Sequence, residues 1–284
     1  MDSIKIIECP RDAMQGIKSH FIPTEAKAKY INSLLKVGFD TIDFGSFVSP
    51  KAIPQMRDTA EVLSKLDLST TTSKLLAIVA NVRGANDASQ FEEIDYLGYP
   101  FSISENFQMR NTHKTIEQSI DTLKEVLAIA NRTNKEVVAY LSMGFGNPYG
   151  DPWSVEIVGE WTEKLSNLGV KILSLSDTVG SSTPKDIDYL FSNLIPSYPQ
   201  IEFGAHLHTT PTKWHEKVDA AFKAGCHRFD GAIKGYGGCP MAKDDLTGNM
   251  PTEKLLSYFT ANKVTTNIKP MSFESAYNKA LEVF

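Results

Sequence analysis

Eight times along this chain a short apolar run gives way to a longer stretch with the three-and-four spacing of an amphipathic helix. SIKIIECP precedes TEAKAKYINSLLKVG, where Ala26, Tyr30, Leu34 and Val37 share a face and Gly38 supplies the stop. The pattern continues through DTIDFGSFV, KLLAIVAN, YLGYPFSIS, VVAYLSMGF, KILSLSDT, IEFGAHLH and RFDGAIKG, each followed by its own helical stretch. Strands joined by helices pair in parallel and are covered on both faces, which is why IKII, LLAIVA, VVAYL and ILSL are continuous apolar runs. Eight such units in 284 residues predict a closed (β/α)8 TIM barrel forming one domain over 1–284, with 263–284 as a C-terminal loop and helix. No G-x-G-x-x-G follows the first strand, which argues against an open dinucleotide-binding sheet.

Lys and Arg number 29 against 34 Asp and Glu, a net charge of −5 without a run of like charges. Nucleic acid is excluded as a partner, because counterion release needs a basic face. No apolar run is long enough to span a membrane, and MDSIKIIECPRD has neither a signal-peptide nor a transit-peptide pattern, so a cytoplasmic protein is expected. The three cysteines, Cys9, Cys226 and Cys239, are widely spread, which suits reduced thiols rather than a disulfide framework or a CxxC zinc site.

In such a barrel, chemistry sits where strands run out into the loops before their helices. The first strand ends in Arg11-Asp12, the second in Asp43, the sixth in Asp177 and the seventh in His206-x-His208. The eighth leads into GYGGCPMAKDDLTGN, which carries Cys239 and Asn249. His206 and His208, two apart on a strand, point to the same side and can bind one ion. Adding Asp12 and the Asn249 amide oxygen makes a mixed nitrogen and oxygen set that favours Mg2+ or Mn2+ over a closed structural zinc site.

Each residue also has an ordinary reading. The histidines can be hydrogen-bonded core residues, Arg11-Asp12 a charged turn, and Asp177 the cap of the next helix. Arg11 and Asp12 both reach one site only if the strand has ended or bulged before them. Cys239 can be a small hydrophobe in a loop, although the glycines around it permit movement that static packing does not need. His20, His113, His215 and His227 have no partners at useful spacing, and the three tryptophans read as packing residues.

The segments ECPRDAMQG, TIDFGSFVSPKAIPQM, SLSDTVGSSTP, HLHT and GGCPMAKDDLTGN, in this order, resemble the 3-hydroxy-3-methylglutaryl-CoA lyase family. The resemblance runs from about residue 4 to residue 260, and SFVSPKAIPQM and the cysteine loop are its most specific parts. It implies a metal-dependent lyase that cleaves 3-hydroxy-3-methylglutaryl-CoA to acetyl-CoA and acetoacetate at the end of leucine breakdown. The implied metal ligands are Asp12, His206, His208 and Asn249. Arg11 would stabilise the enolate, Asp177 or His206 would act as base, and Cys239 would return a proton to the enolate carbon. Gln15, Asp43 and Ser46 join Arg11 around the acyl-CoA substrate, and a homodimer or higher homo-oligomer is implied.

Three departures stand out. Asp43 occupies a position where the family usually has glutamate. Thr209, Thr210 and Pro211 follow the second histidine where the family tends to have Asp-Thr and Tyr-Gly, and Asn147 replaces a cysteine of some relatives. Competing readings are a condensing enzyme or aldolase acting on a different 3-hydroxyacyl or 2-oxo acid substrate, and a non-catalytic barrel that senses an acyl-CoA or a metal.

Overall fold

The continuous apolar runs pair in parallel. The computed structural model describes residues 3–238 and 247–284. Its parallel strands are β1 (Lys5–Glu8), β2 (Thr41–Ser46), β3 (Lys74–Ile78), β4 (Tyr96–Ser102), β5 (Glu136–Ser142), β6 (Ile172–Asp177), β7 (Glu202–Thr209) and β8 (Arg228–Gly231). Each pairs with its neighbour in sequence, and β1 pairs with β8, which closes a TIM barrel. A short β9 (Gly248–Asn249) runs antiparallel to β7, with Asn249 opposite His208.

The helices are α1 (Pro10–Gln15), α2 (Thr24–Leu34), α3 (Thr59–Leu63), α4 (Val82–Ala88), α5 (Glu105–Thr112), α6 (Ile116–Arg132), α7 (Val155–Asn167), α8 (Pro184–Ser197), α9 (Trp214–Lys223), α10 (Thr252–Ala261) and α11 (Pro270–Ala280). Their starts follow local chemistry. Thr115 accepts the Gln118 N–H while Gln118 reaches back to the Thr115 N–H, so α6 begins with a reciprocal cap. Leu123, Val126 and Leu127 of α6 are buried, each stabilising by about 1.5–3 kcal/mol. The tail read as a loop and helix contains α11, and beyond it Phe284 packs edge-on against Tyr30 of α2 at 5.9 Å. Among the described residues no helix is long and apolar enough to cross a membrane.

The bore of the barrel is divided by chemistry. On one side Leu76, Ile78, Tyr96, Val138, Tyr140 and Ile172, from β3 to β6, form an apolar plug. Gly98 leaves room for it, since a Cβ there would lie 2.5 Å from Ile78 Cδ1. On the side of β1, β2, β7 and β8 the interior holds polar side chains instead, the buried Asp43, Arg228 and Asp230 and the partly buried His206 among them. Polar residues on one wall of a closed barrel converge, because they cannot turn outward without flipping the strand register.

Candidate active site

Arg11 and Asp12 share a site because the strand has ended before them. β1 stops at Glu8, and Pro10 begins α1 with a ring already fixed for helix. The guanidinium of Arg11 is then held by Asp43 in the middle of β2, beside a slip in the register between Asp43 and Gly45. Nε donates to both Asp43 oxygens, at 3.1 and 3.0 Å, and Nη2 donates to Oδ2. Nη1 donates to Asp12 Oδ1 at 3.0 Å. Arg11 is therefore a fully oriented cation, 7% exposed, between two carboxylates. Burial pushes the Asp43 carboxyl up to about 6 against the opposing pull of Arg11. For Asp12 burial also acts upward, but Arg11, His206 and His208 together hold its carboxyl below the ordinary range.

The two histidines of β7 stand side by side with ring centroids 5.3 Å apart. His208 Nδ1 lies 3.0 Å from the Thr178 carbonyl, which can only accept, so Nδ1 carries the proton and Nε2 the lone pair. That Nε2 is buried and has no hydrogen-bond partner. Burial, and then the neighbouring His206, push the ring's pKa down to about 4, so it is neutral at pH 7. His206 donates through Nδ1 to Asp230 Oδ2 at 3.0 Å, which leaves its Nε2 free in the same way. Burial alone would lower the His206 pKa, but Asp230 and Asp12 outweigh it and the net shift is upward.

One carboxylate oxygen of Asp12 and one ring nitrogen each of His206 and His208 lie within 4.8 Å of one another. Two imidazoles whose Nδ1 atoms are tied down and whose Nε2 atoms are left for a ligand, beside an ionised carboxylate, are what a divalent cation requires, and its charge would displace any proton that His206 carries. An orphaned buried lone pair on His208 has no other use among the described residues. The chemistry of the donor set therefore fits a metal ion.

Asn249 reaches this cluster through its amide nitrogen, which donates to Asp12 Oδ2 at 2.7 Å and to the Tyr236 carbonyl at 2.8 Å. Gln15 also faces it, donating to Asp12 Oδ1 at 2.6 Å. Gly237, at φ +84, lies against both: a Cβ there would be 2.7 Å from the Asp12 carbonyl oxygen and 2.9 Å from Asn249 Nδ2.

Two expected residues are engaged elsewhere. Asp177 accepts the Ser182 N–H, the Ser182 hydroxyl at 2.5 Å and the Lys217 ammonium at 2.6 Å. Lys217 in turn donates to the carbonyls of Gly180 and His208, so this ion pair ties the end of β6 to the end of β7. Asp177 does not cap α8; Thr183 does. Ser46 donates to the Ile78 carbonyl at 3.3 Å and makes no hydrogen bond to the Arg11 cluster. Cys239 lies outside the described residues.

Asp230 and Lys217 were not anticipated. Asp230 sits inside the run RFDGAI, where an internal carboxylate reads as the interruption of a strand. A clue was available, since a carboxylate within a buried strand needs a partner inside the barrel.

Known proteins carry the same plan. The HMGL-like family profile matches residues 4–279. A hydroxymethylglutaryl-CoA lyase of Bacillus subtilis (strain 168) is 33% identical over 260 residues, covering 92% of this chain and 86% of the relative. The cytoplasmic 3-hydroxy-3-methylglutaryl-CoA lyase of Rattus norvegicus is 31% identical over 268 residues, 93% of this chain and 76% of its own. The crystal structure of the Bacillus subtilis HMG-CoA lyase superposes with a TM-score of 0.92 at 32% identity, over 99% of this chain and 93% of that one. An HMG-CoA lyase from Acinetobacter baumannii, in complex with coenzyme A and 3-methylmalate, gives 0.89 at 28% identity, over 99% and 91%. The carboxyl transferase domain of Rhizobium etli pyruvate carboxylase, at 15% identity and TM-score 0.75, shares the fold alone. With the family profile matched over nearly its whole length and relatives a third identical across the barrel, this chain belongs to the HMGL-like family.

Proposed function

We propose that this chain is a carbon–carbon lyase that cleaves 3-hydroxy-3-methylglutaryl-CoA to acetyl-CoA and acetoacetate. The observation that carries this reading is the convergence of Asp12, His206 and His208, with the buried Nε2 of His208 unpartnered, next to a guanidinium fixed by Asp43. The relatives named as hydroxymethylglutaryl-CoA lyases support it.

Asp12, His206 and His208 would hold a divalent cation; Asn249, whose amide nitrogen now faces Asp12, would join as fourth donor through its amide oxygen once the amide turns over, and the mixed set favours Mg2+ or Mn2+. When bound, the cation supplies Lewis-acid charge that brings the pKa of an alcohol towards the working range. Cleavage then moves the hydroxyl proton to a base, turns the C3–O bond into the acetoacetate carbonyl and leaves the C2–C3 electron pair on an acetyl-CoA enolate. Arg11, held at Nε, Nη1 and Nη2 by the two carboxylates, presents fixed positive charge to the enolate oxygen. Asp177, saturated by Ser182 and Lys217, acts as a positioning residue for the His208 backbone rather than as the base. His206 keeps a lone pair on Nε2, and Asp230 stabilises the positive charge the ring would gain on taking a proton. One lone pair serves either the ion or the proton at a given moment. Cys239 returns a proton to the enolate carbon, and Gln15, Asp43 and Ser46 complete the substrate's surroundings.

The same reading gives an acyl-CoA as substrate, leucine breakdown as the setting, a cytoplasmic location and a homodimeric or larger assembly. Its test is acetoacetate release from 3-hydroxy-3-methylglutaryl-CoA by the purified protein, with and without Mg2+. Release that depends on the ion is expected. No release with either Mg2+ or Mn2+ overturns the reading, and condensation of acetyl-CoA with a 2-oxo acid under the same conditions would install the rival.

A further inference from the structure

Cys9 sits in the turn between β1 and α1, 1% exposed and not in a disulfide. Its thiol has no good acceptor, since the Ile7 carbonyl is 4.0 Å away. In the closed barrel Ile7 is opposite Asp230 in the β1 to β8 pairing, which brings the end of β1 beside the His206–Asp230 pair. Cys9 Sγ, a ring nitrogen of His206 and a carboxylate oxygen of Asp230 all lie within 4.8 Å of one another. Asp230 is 3% exposed, and its Oδ1 has no hydrogen-bond partner. A sulfur, a nitrogen and an oxygen donor thus converge, and two of the three are unsatisfied.

We propose that Cys9, His206 and Asp230 form a second metal site, behind the Asp12, His206 and His208 cluster, that takes a thiophilic divalent cation such as Zn2+ or Cd2+. A sulfur, nitrogen and oxygen donor set suits Zn2+ and is poor for Mg2+, which demands oxygen ligands. The charges balance, since a thiolate and a carboxylate neutralise a divalent ion in a buried place. Protons balance as well. The Cys9 thiol proton goes to solvent on binding. His206 faces Asp230 through Nδ1, so it must give that nitrogen to the ion and carry its proton on Nε2 instead.

That tautomer change has a functional result. A neutral imidazole has one lone-pair nitrogen, so a cation at Cys9 withdraws His206 from the Asp12 side. Occupation of the inner site by a soft metal dismantles the outer one. This last step rests on the outer cluster being the catalytic metal site; the existence of the inner site does not.

The purified full-length protein is titrated with Cd2+ and followed by the ultraviolet sulfur-to-cadmium charge-transfer band. The titration is run in a Cys239→Ser background, which removes the loop thiol: one band equivalent per chain is expected there and with Cys226→Ala or Asp12→Asn added, with loss of the band when Cys9→Ala is added. Absence of the band in Cys239→Ser, or its persistence when Cys9→Ala is added, overturns the site. Loss in Asp12→Asn overturns its independence from the outer cluster. Should Cys9→Ala fail to fold, cadmium NMR of Cys239→Ser decides: a mixed sulfur, nitrogen and oxygen shift supports the site, and a shift without sulfur overturns it. If the lyase reading fails, these spectra are unchanged and only inhibition of acetoacetate release by Cd2+ is lost.

Discussion

Glu8 is wholly buried at the end of β1, where Oε1 accepts the Ile233 N–H at 2.9 Å and Oε2 accepts the Thr252 hydroxyl at 2.6 Å. Burial pushes its carboxyl from 4.5 up to about 8, and the two hydrogen bonds only partly oppose this. The folded chain therefore binds this proton more tightly than the unfolded chain. Its contribution to stability is full below about pH 4.5 and is lost as pH rises through about 8. A gap of about 3.5 pH units at about 1.4 kcal/mol each sets a ceiling of about 5 kcal/mol. Between about pH 5 and about pH 8 the loss comes to about 3 kcal/mol. Glu8→Gln removes the titration and keeps both bonds, because its amide oxygen accepts from Ile233 while its nitrogen donates to the Thr252 hydroxyl with roles reversed. Urea unfolding of both proteins across this range should show the variant gaining about 3 kcal/mol on the natural protein as pH rises. A stability difference that stays constant within about 0.5 kcal/mol over the range would refute the reasoning, since it would mean that Glu8 is ionised on both sides of the transition.

Asp230→Asn should lower divalent metal affinity by about 10- to 100-fold, read by calorimetric titration, because an uncharged amide is a weaker acceptor that no longer fixes the His206 tautomer or raises the basicity of its ring. Asp43→Asn should cut turnover on 3-hydroxy-3-methylglutaryl-CoA by about 10²-fold, with a smaller change in KM, by releasing Arg11 from its orienting partner. Asp43→Glu should also lower turnover, since the added methylene has no room at a side chain with 0% exposure; activity above the natural protein's would point to a different acyl chain. Turnover of the natural protein should fall as pH drops through about 6, where Asp43 takes up a proton and loosens Arg11, a limb that Asp43→Asn abolishes. Gly237→Ala should weaken metal binding by at least about 10-fold while the far-ultraviolet circular dichroism stays unchanged, because its Cβ would press on Asp12 and Asn249 at a φ only glycine adopts readily.

The barrel was legible because its signal is local. Runs such as LLAIVA and VVAYL declare strands covered on both faces, and Gly38 marks the end of a helix within its own segment. His206 and His208 were legible for the same reason, since a two-residue spacing on one strand decides which way both rings face. What escaped depends on pairing between distant strands. Asp230 matters because it lies 3.0 Å from His206, Lys217 because it reaches Asp177, and Glu8 because it meets Ile233 and Thr252. None of these partnerships has a spacing that periodicity can detect. Asp177 shows the converse: its position at the end of β6 was correctly placed, but three donors from Ser182 and Lys217 already occupy its carboxylate.

Asp12 and Asn249 touch across 237 residues of chain, and that contact exists only once β1 has paired with β8. During synthesis the first carboxylate emerges long before the strand carrying His206, so a nascent chain has no competent ligand set to capture a cation prematurely. The cost of closing so long a loop has already been met by the sheet when the ligands come together. An ion held there reports on the ring as a whole, and its binding free energy is withheld from every partly assembled barrel. Added metal should therefore act as a clasp on the seam, slowing the separation of the first and last strands more than it slows local opening of any single helix.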